Sequence, residues 1–285
     1  MVAIAEGTPE APKASHFIIG IARGLAGALL FALPMLMTME MWSLGLYISH
    51  ARLLLLCVLN LPLLWMLAKR IGFEKTTTWI EALRDAVIAY GLGIAVSAAI
   101  LLILGVIEDQ SNISTIVAKV SLQSVPASIG ALLGRSQLGL HSEAQANQDG
   151  EYEGETGYLH ELFMMIVGAL FLSLNVAPTD EMVLIAYKVS PFHTFCIALV
   201  SIILIHGFVY ALHFKGSHSL LEGMQWWHSF IRFSMPGYVL AIIVSIYALW
   251  TFERLDHTSL SQILTAAVIL GLPASIGAAA ARLIL

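Results

Sequence analysis

The sequence predicts an all-α, polytopic membrane protein of about eight transmembrane helices, arranged as two parallel four-helix repeats. Three observations predict it. The 285 residues are 58% hydrophobic and only 12% charged, against about 25% charged in soluble domains. Eight stretches approach or exceed the roughly 20 apolar residues that cross a bilayer. The third observation is repetition. Pro126-Ala127-Ser128-Ile129-Gly130-Ala131 returns as Pro273-Ala274-Ser275-Ile276-Gly277-Ala278, and each block is followed by an arginine, Arg135 or Arg282. Residues 27–42 align without a gap on 168–183, Trp79-x4-Arg84 matches Trp227-x4-Arg232, and Val96-Ser97 matches Val244-Ser245. The offsets are 141, 148 and 147 residues. Motifs duplicated in register fix the architecture before any single residue is considered.

The elements follow in order. Residues 1–15 are polar and rich in Pro and Ala, with Glu6, Glu10 and Lys13. They lack the basic n-region and cleavage site of a signal peptide and read as a disordered tail. The first repeat, 16–136, holds spans at about 17–46, 52–72, 82–107 and 115–136. An acidic segment, 137–157, carries Glu143, Asp149, Glu151, Glu153 and Glu155 without Lys or Arg. It reads as a flexible linker, since its spacing is not that of an EF-hand. The second repeat, 158–285, holds spans at about 158–188, 192–214, 229–252 and 261–282. Helices are the only class available, because lipid offers unpaired backbone groups no partner. Cys57 and Cys196 fall inside apolar spans and suggest neither a disulfide nor a metal site.

Four spans per repeat keep the second repeat in the orientation of the first. The two are therefore expected to be related by an axis along the membrane normal. With the N-terminus inside, ten Lys and Arg fall on the cytoplasmic side, and Arg52, Lys188 and Arg254 on the other. Lys119 falls within a span. The positive-inside rule places both termini in the cytoplasm, as expected for a multi-pass protein with an even number of spans.

The residues most able to carry chemistry are Glu40 and Glu181. Each lies late in a long apolar span, two residues after a threonine, Thr38 or Thr179; the second copy adds Asp180. A carboxylate at membrane depth must face protein, water or an ion. Pro34, Asn175 and Pro178 stand nearby, and a proline inside a span frees backbone carbonyls. Hydroxyl, carbonyl and carboxylate are hard oxygen ligands suited to a monovalent or divalent cation or a proton. The competing reading makes the glutamates interfacial headgroup residues. Ser97, Ser245, Ser128 and Ser275 are secondary candidates for lining a pathway, with helix packing as their bland role; Gly130-x3-Gly134 is a packing motif. Arg84, Arg232, Arg135 and Arg282 fall at cytoplasmic helix ends and read as anchors.

Thr38-Met39-Glu40-Met41-Trp42-Ser43 resembles the Thr-x-Glu-x-Trp-Ser filter of bacterial voltage-gated sodium channels. That likeness, counted on to Gly45, spans eight residues, lacks the Arg-rich sensor and loses its tryptophan in the second copy at Val183. Over most of its length the chain, with Met39-Glu40-Met41-Trp42 and Pro178-Thr179-Asp180-Glu181, resembles a family of bacterial integral membrane proteins with an internal four-helix duplication. That resemblance implies membrane localisation and carries no activity with it.

The resulting expectation is a cation channel or secondary cation transporter, homo-oligomeric, contacting lipid and a small cation, with no cofactor and no enzymatic role. No Walker, Rossmann, HExxH, CxxC or nucleophile-elbow pattern occurs, and no basic patch points to nucleic acid. Two alternatives stand beside it. One is a redox, haem or metal protein using His206 and His213, seven residues apart, with His193 or His160. The other is a membrane scaffold that transports nothing.

Overall fold

The structure, a computed structural model, describes residues 13–71, 78–107, 112–138, 158–211 and 226–284. The tail before Lys13, most of the acidic segment and His213 lie outside these residues. Among the described residues every regular element is a helix. The first half contains α1 (Lys13–Leu36), α2 (Met39–Tyr47), α3 (His50–Ile71), α4 (Trp79–Ile103) and α5 (Ile113–Leu138). The second contains α6 (Tyr158–Val176), α7 (Asp180–Lys188), α8 (Pro191–Ala211), a short α9 (Trp226–Ser229), α10 (Met235–Thr251) and α11 (Leu260–Ile284). Eight of these are long and apolar enough to cross a membrane: α1, α3, α4, α5, α6, α8, α11 and the π-turn–α10 segment over Phe230–Thr251. The protein is polytopic and all-helical, as its composition predicts.

Two predicted spans are shorter than their apolar stretches. The stretch 17–46 breaks after Leu36 and 158–188 breaks after Val176, and each continues as a nine-residue helix. The cause is the same at both breaks. Thr38 is extended (φ −92°, ψ 130°) and its hydroxyl donates to the Met35 carbonyl at 2.8 Å. Thr179 is extended (φ −72°, ψ 145°) and donates to the Val176 carbonyl at 2.9 Å. A threonine hydroxyl that occupies a helical carbonyl offers the chain an exit from the helix.

Each half packs around its last span. In the first, α5 lies against α1, α4 and α3; in the second, α11 lies against α6, α8 and α10. Glycines set the closest crossings. A methyl on Gly27 would overlap the backbone of Gly130 and Gly134, and one on Gly168 would overlap Gly277 and Ala281. Without a hydrophobic drive between helices in lipid, this close approach supplies the packing attraction.

The connections match as well. Ser49 and Ser190 accept from Leu53 and Thr194 at the starts of α3 and α8, both at 3.0 Å. Asn112 and Ser259 open α5 and α11, accepting the backbone N–H of Ser114 and Gln262 through their side chains. One element differs. In the first half α4 starts with a capping box, Thr78 with Glu81, and runs unbroken. In the second, Phe230–Ser234 forms a π-helical turn before α10. Pro236 explains it: proline lacks the N–H that would bond the Arg232 carbonyl, and its ring would clash there. The first half has Ile88 at the corresponding place.

The halves meet where α1 and α5 touch α6 and α3 touches α10. Phe31 and Phe171 pack edge to face, 5.2 Å between centroids. At the face where α1 ends, here called the far face, the α10–α11 turn grips the start of α3. Glu253 accepts the Ser49 N–H at 2.7 Å. Arg52 donates to the Trp250 carbonyl at 2.8 Å, pairs with Asp256 at 2.9 Å, and covers the Trp250 ring.

Candidate functional site

The acidic residues of both halves stand on the first turns of α2 and α7 at the far face. Glu40 is partly buried, and Asp180 and Glu181 are exposed. They are therefore beyond the spanning helices α1 and α6 rather than late within them. Unpaired N–H groups and the helix dipole favour carboxylates at such a turn. Asp180 pairs with Arg254 at 3.0 Å. Glu40 and Glu181 have no hydrogen-bond or ionic partner through their carboxylates among the described residues. The Thr38 and Thr179 hydroxyl protons are committed to Met35 and Val176, which leaves their oxygen lone pairs available. Helix α2 packs on α5 and α7 on α11, so each glutamate is placed by its own half.

Behind each acidic turn lies one cation, delivered from opposite walls. In the first half Lys119, on α5, passes beneath Gly45 and donates to the Val106 carbonyl at 3.1 Å. In the second half the position corresponding to Lys119 is Ala266, and the one corresponding to Val106 is Arg254. Arg254 reaches back to the Pro178 carbonyl and Asp180. Ala266 lines a shallow surface depression together with Tyr187, Arg254, Thr258 and Gln262.

A second polar group lies inside the first half, where α3, α4 and α5 meet. Asn60, only 3% exposed, donates through Nδ2 to Ser128 Oγ at 2.9 Å. Among the described residues its Oδ1 has no partner, and neither does the fully buried Ser97 hydroxyl. Gly93 sits directly on the Ser124 carbonyl and on Ser128. Tyr90 brings its hydroxyl to Ser124 and Cys57. A buried acceptor left unmatched costs about 1–3 kcal/mol, so such a cluster is not neutral filling. Gln123, fully buried on α5, also lacks a partner for either amide atom. In the second half Ser245 donates to the Ala241 carbonyl at 2.7 Å, while Ser275 Oγ is buried without a partner.

Of the arginines, Arg84 is exposed beside the fully buried Asp85 at 3.3 Å, and Arg232 lies over the Tyr158 ring at 5.2 Å. Arg135 and Arg282 lie near the ends of α5 and α11; their side chains are outside the described set. His206 bonds Ser234 Oγ at 3.0 Å and His193 bonds Ser190 Oγ at 2.7 Å, and the described residues bring no three metal-ligating side chains together.

Asn60, Gln123 and the Lys119–Arg254 exchange are not among the residues that the sequence alone brings forward. A signal existed: each is a strongly polar residue in or beside an apolar run, and Asn60 stands two residues before Pro62. No curated protein and no solved structure matches the chain. Eight membrane-length helices and a family model matched across residues 20–285 agree, and the chain belongs to the integral membrane protein family DUF2391.

Proposed function

We propose that the protein conducts or transports a small cation across the membrane, with the Thr-x-Glu turns forming the acidic mouth of the pathway. The observation that carries the reading is the recurrence of one device. Both halves break their first span at the same place and present there a glutamate without an ionic partner among the described residues. Two acidic turns at one face raise the local cation concentration, and the lone pairs of Thr38 and Thr179 add oxygen ligands. In this reading Glu40 and Glu181 recruit the ion, and Asp180, paired with Arg254, tunes the second turn. Ser97, Ser128, Ser245 and Ser275 line the interior. Arg84, Arg232, Arg135 and Arg282 anchor the helices at the cytoplasmic side of a bacterial inner membrane. The two halves stand about an axis along the membrane normal, and the protein works as a homo-oligomer.

The test is flux through liposomes containing the purified chain, comparing Na⁺, K⁺, Ca²⁺ and H⁺. Glu40→Gln and Glu181→Gln are expected to lower cation flux several-fold each while the protein stays folded, because size and polarity are kept. Wild-type flux of none of these ions would end the transport reading. Wild-type flux carried undiminished by the double variant would end the assignment of the mouth.

A further inference from the structure

We propose that the seam between α3, α4 and α5 in the first half is a binding site for a monovalent cation, held by uncharged oxygens. The proposal rests on the cation-transport reading and places an ion site inside the protein, away from the acidic mouth.

The argument is a balance of donors and acceptors. Ser124 and Ser128, both fully buried, give their hydroxyl protons to the Ser121 and Val125 carbonyls at 2.8 and 2.7 Å. Ser128 also accepts the Asn60 amide. With these protons committed, the Ser124 oxygen faces the Tyr90 hydroxyl, and Asn60 Oδ1 is buried without a partner among the described residues. Pro126, inside α5, has no N–H for the Leu122 carbonyl four residues before it. Gly93 lets the α4 backbone close on Ser124 and Ser128. Ser97, one turn further along the same face of α4, carries an unpartnered hydroxyl whose proton can turn away.

Asn60 Oδ1 and Ser97 Oγ, which no donor among the described residues meets, and the Leu122 carbonyl freed by Pro126 therefore form a surplus of acceptors in the seam. A species that is all positive field and no lone pair fits such a surplus. Neutral oxygens without a carboxylate suit a monovalent ion better than a divalent one, whose sites draw on anionic ligands. The second half lacks the set. Asn60 corresponds to Ser201, which donates to the Ile197 carbonyl at 2.8 Å, and Ser124 and Gly93 correspond to Gly271 and Ala241. One ion per chain follows.

The experiment is thermal unfolding of the purified full-length chain in detergent, with NaCl or KCl titrated against choline chloride at constant ionic strength. The expected result is a saturable rise in Tm with one of the two metal cations that choline does not give. Asn60→Leu should abolish that rise, and Ser201→Ala should leave it intact. Asn60→Asp keeps the oxygen, adds a charge, and should lower the half-saturating concentration roughly tenfold, the order of one added charge–ion contact. It also covers the case in which Asn60→Leu fails to fold. Equal Tm in all three salts overturns the site and leaves bound water as the partner of these oxygens. An unchanged half-saturation in Asn60→Asp overturns it too. The flux assay separates the two claims. Ion-specific stabilisation without flux keeps the site and removes transport; flux without ion-specific stabilisation removes the site alone.

Discussion

The two halves of the chain build the same frame and fill it differently. Both break the first span at a threonine, cross the first and last spans through glycine, and start their second and last spans from matching caps. Inside, the first half buries Asn60, Gln123 and Ser124 where the second has Ser201, Leu270 and Gly271. The spanning part of α5 is 72% buried and that of α11 is 50%, while α3 and α8 fall to 33% and 11%. The other two pairs reverse the order, with α1 and α4 at 33% against 44% for α6 and the segment through α10, so the halves distribute their burial differently. Features that recur are those any four-helix unit needs in lipid. Features that do not recur mark where the halves differ: the acidic turns are shared, and the Asn60, Gln123 and Ser124 set belongs to the first half alone.

The largest test of the common frame is at the glycine crossings. Gly27→Leu and Gly168→Leu should each cost at least about 1–3 kcal/mol through overpacking, seen as loss of monodisperse protein and a lower Tm. Wild-type stability in either variant would break the equivalence of the two crossings. Next comes the grip between halves. Arg52→Ala removes an ion pair, a carbonyl bond and a ring contact, and should cost about 2 kcal/mol. At the corresponding position His193→Ala should cost less, since among the described residues the His193 ring meets Ser190 and the neighbouring Phe192 and makes no ion pair. Equal losses would mean that the first half does not depend on this clasp.

A smaller effect sharpens the comparison at the far face. Lys119→Ala and Val106→Arg together transplant the second half's arrangement into the first. The pair should couple favourably by about 1 kcal/mol in a double-mutant cycle, because one cation replaces another in the same place. Additive losses would show that the two arrangements are not interchangeable. The smallest effect is at Glu253, whose φ of 61° matches the 69° of Gly105 at the corresponding turn. Both Glu253→Gly and Glu253→Ala lose the bond to Ser49, but glycine relieves about 1 kcal/mol of left-handed backbone strain. The glycine variant should melt above the alanine variant; the reverse order would separate the two turns.

Eight spans were legible because hydropathy over about 20 residues is a strong physical signal. The break at Thr38 was not, since Met39, Met41, Trp42 and Leu44 keep the stretch apolar while a short helix folds away from the span. The acidic pair was legible as residues but not as a place: reading 17–46 as one span set Glu40 late within it instead of on the first turn of a separate helix. Ser97 and Ser128 were found because Ser245 and Ser275 repeat them. Asn60 and Gln123 were missed for the complementary reason. Reading the halves against each other selects what they share and passes over a polar residue present once. The π-turn at Phe230–Ser234 had its cause in plain view at Pro236, but a proline near a helix start usually passes without consequence.

The glycine crossings also bear on how the protein is made. Gly27 finds its seat on Gly130 and Gly134, so α1 enters the bilayer about 100 residues before its main partner exists, a wait of roughly 5–20 s at ordinary synthesis rates. During that interval its small-residue stripe is covered by lipid tails. Gly168 repeats the wait for Gly277. Insertion of these spans must therefore precede their association, and each half closes only when its last helix arrives to displace the lipid from its first.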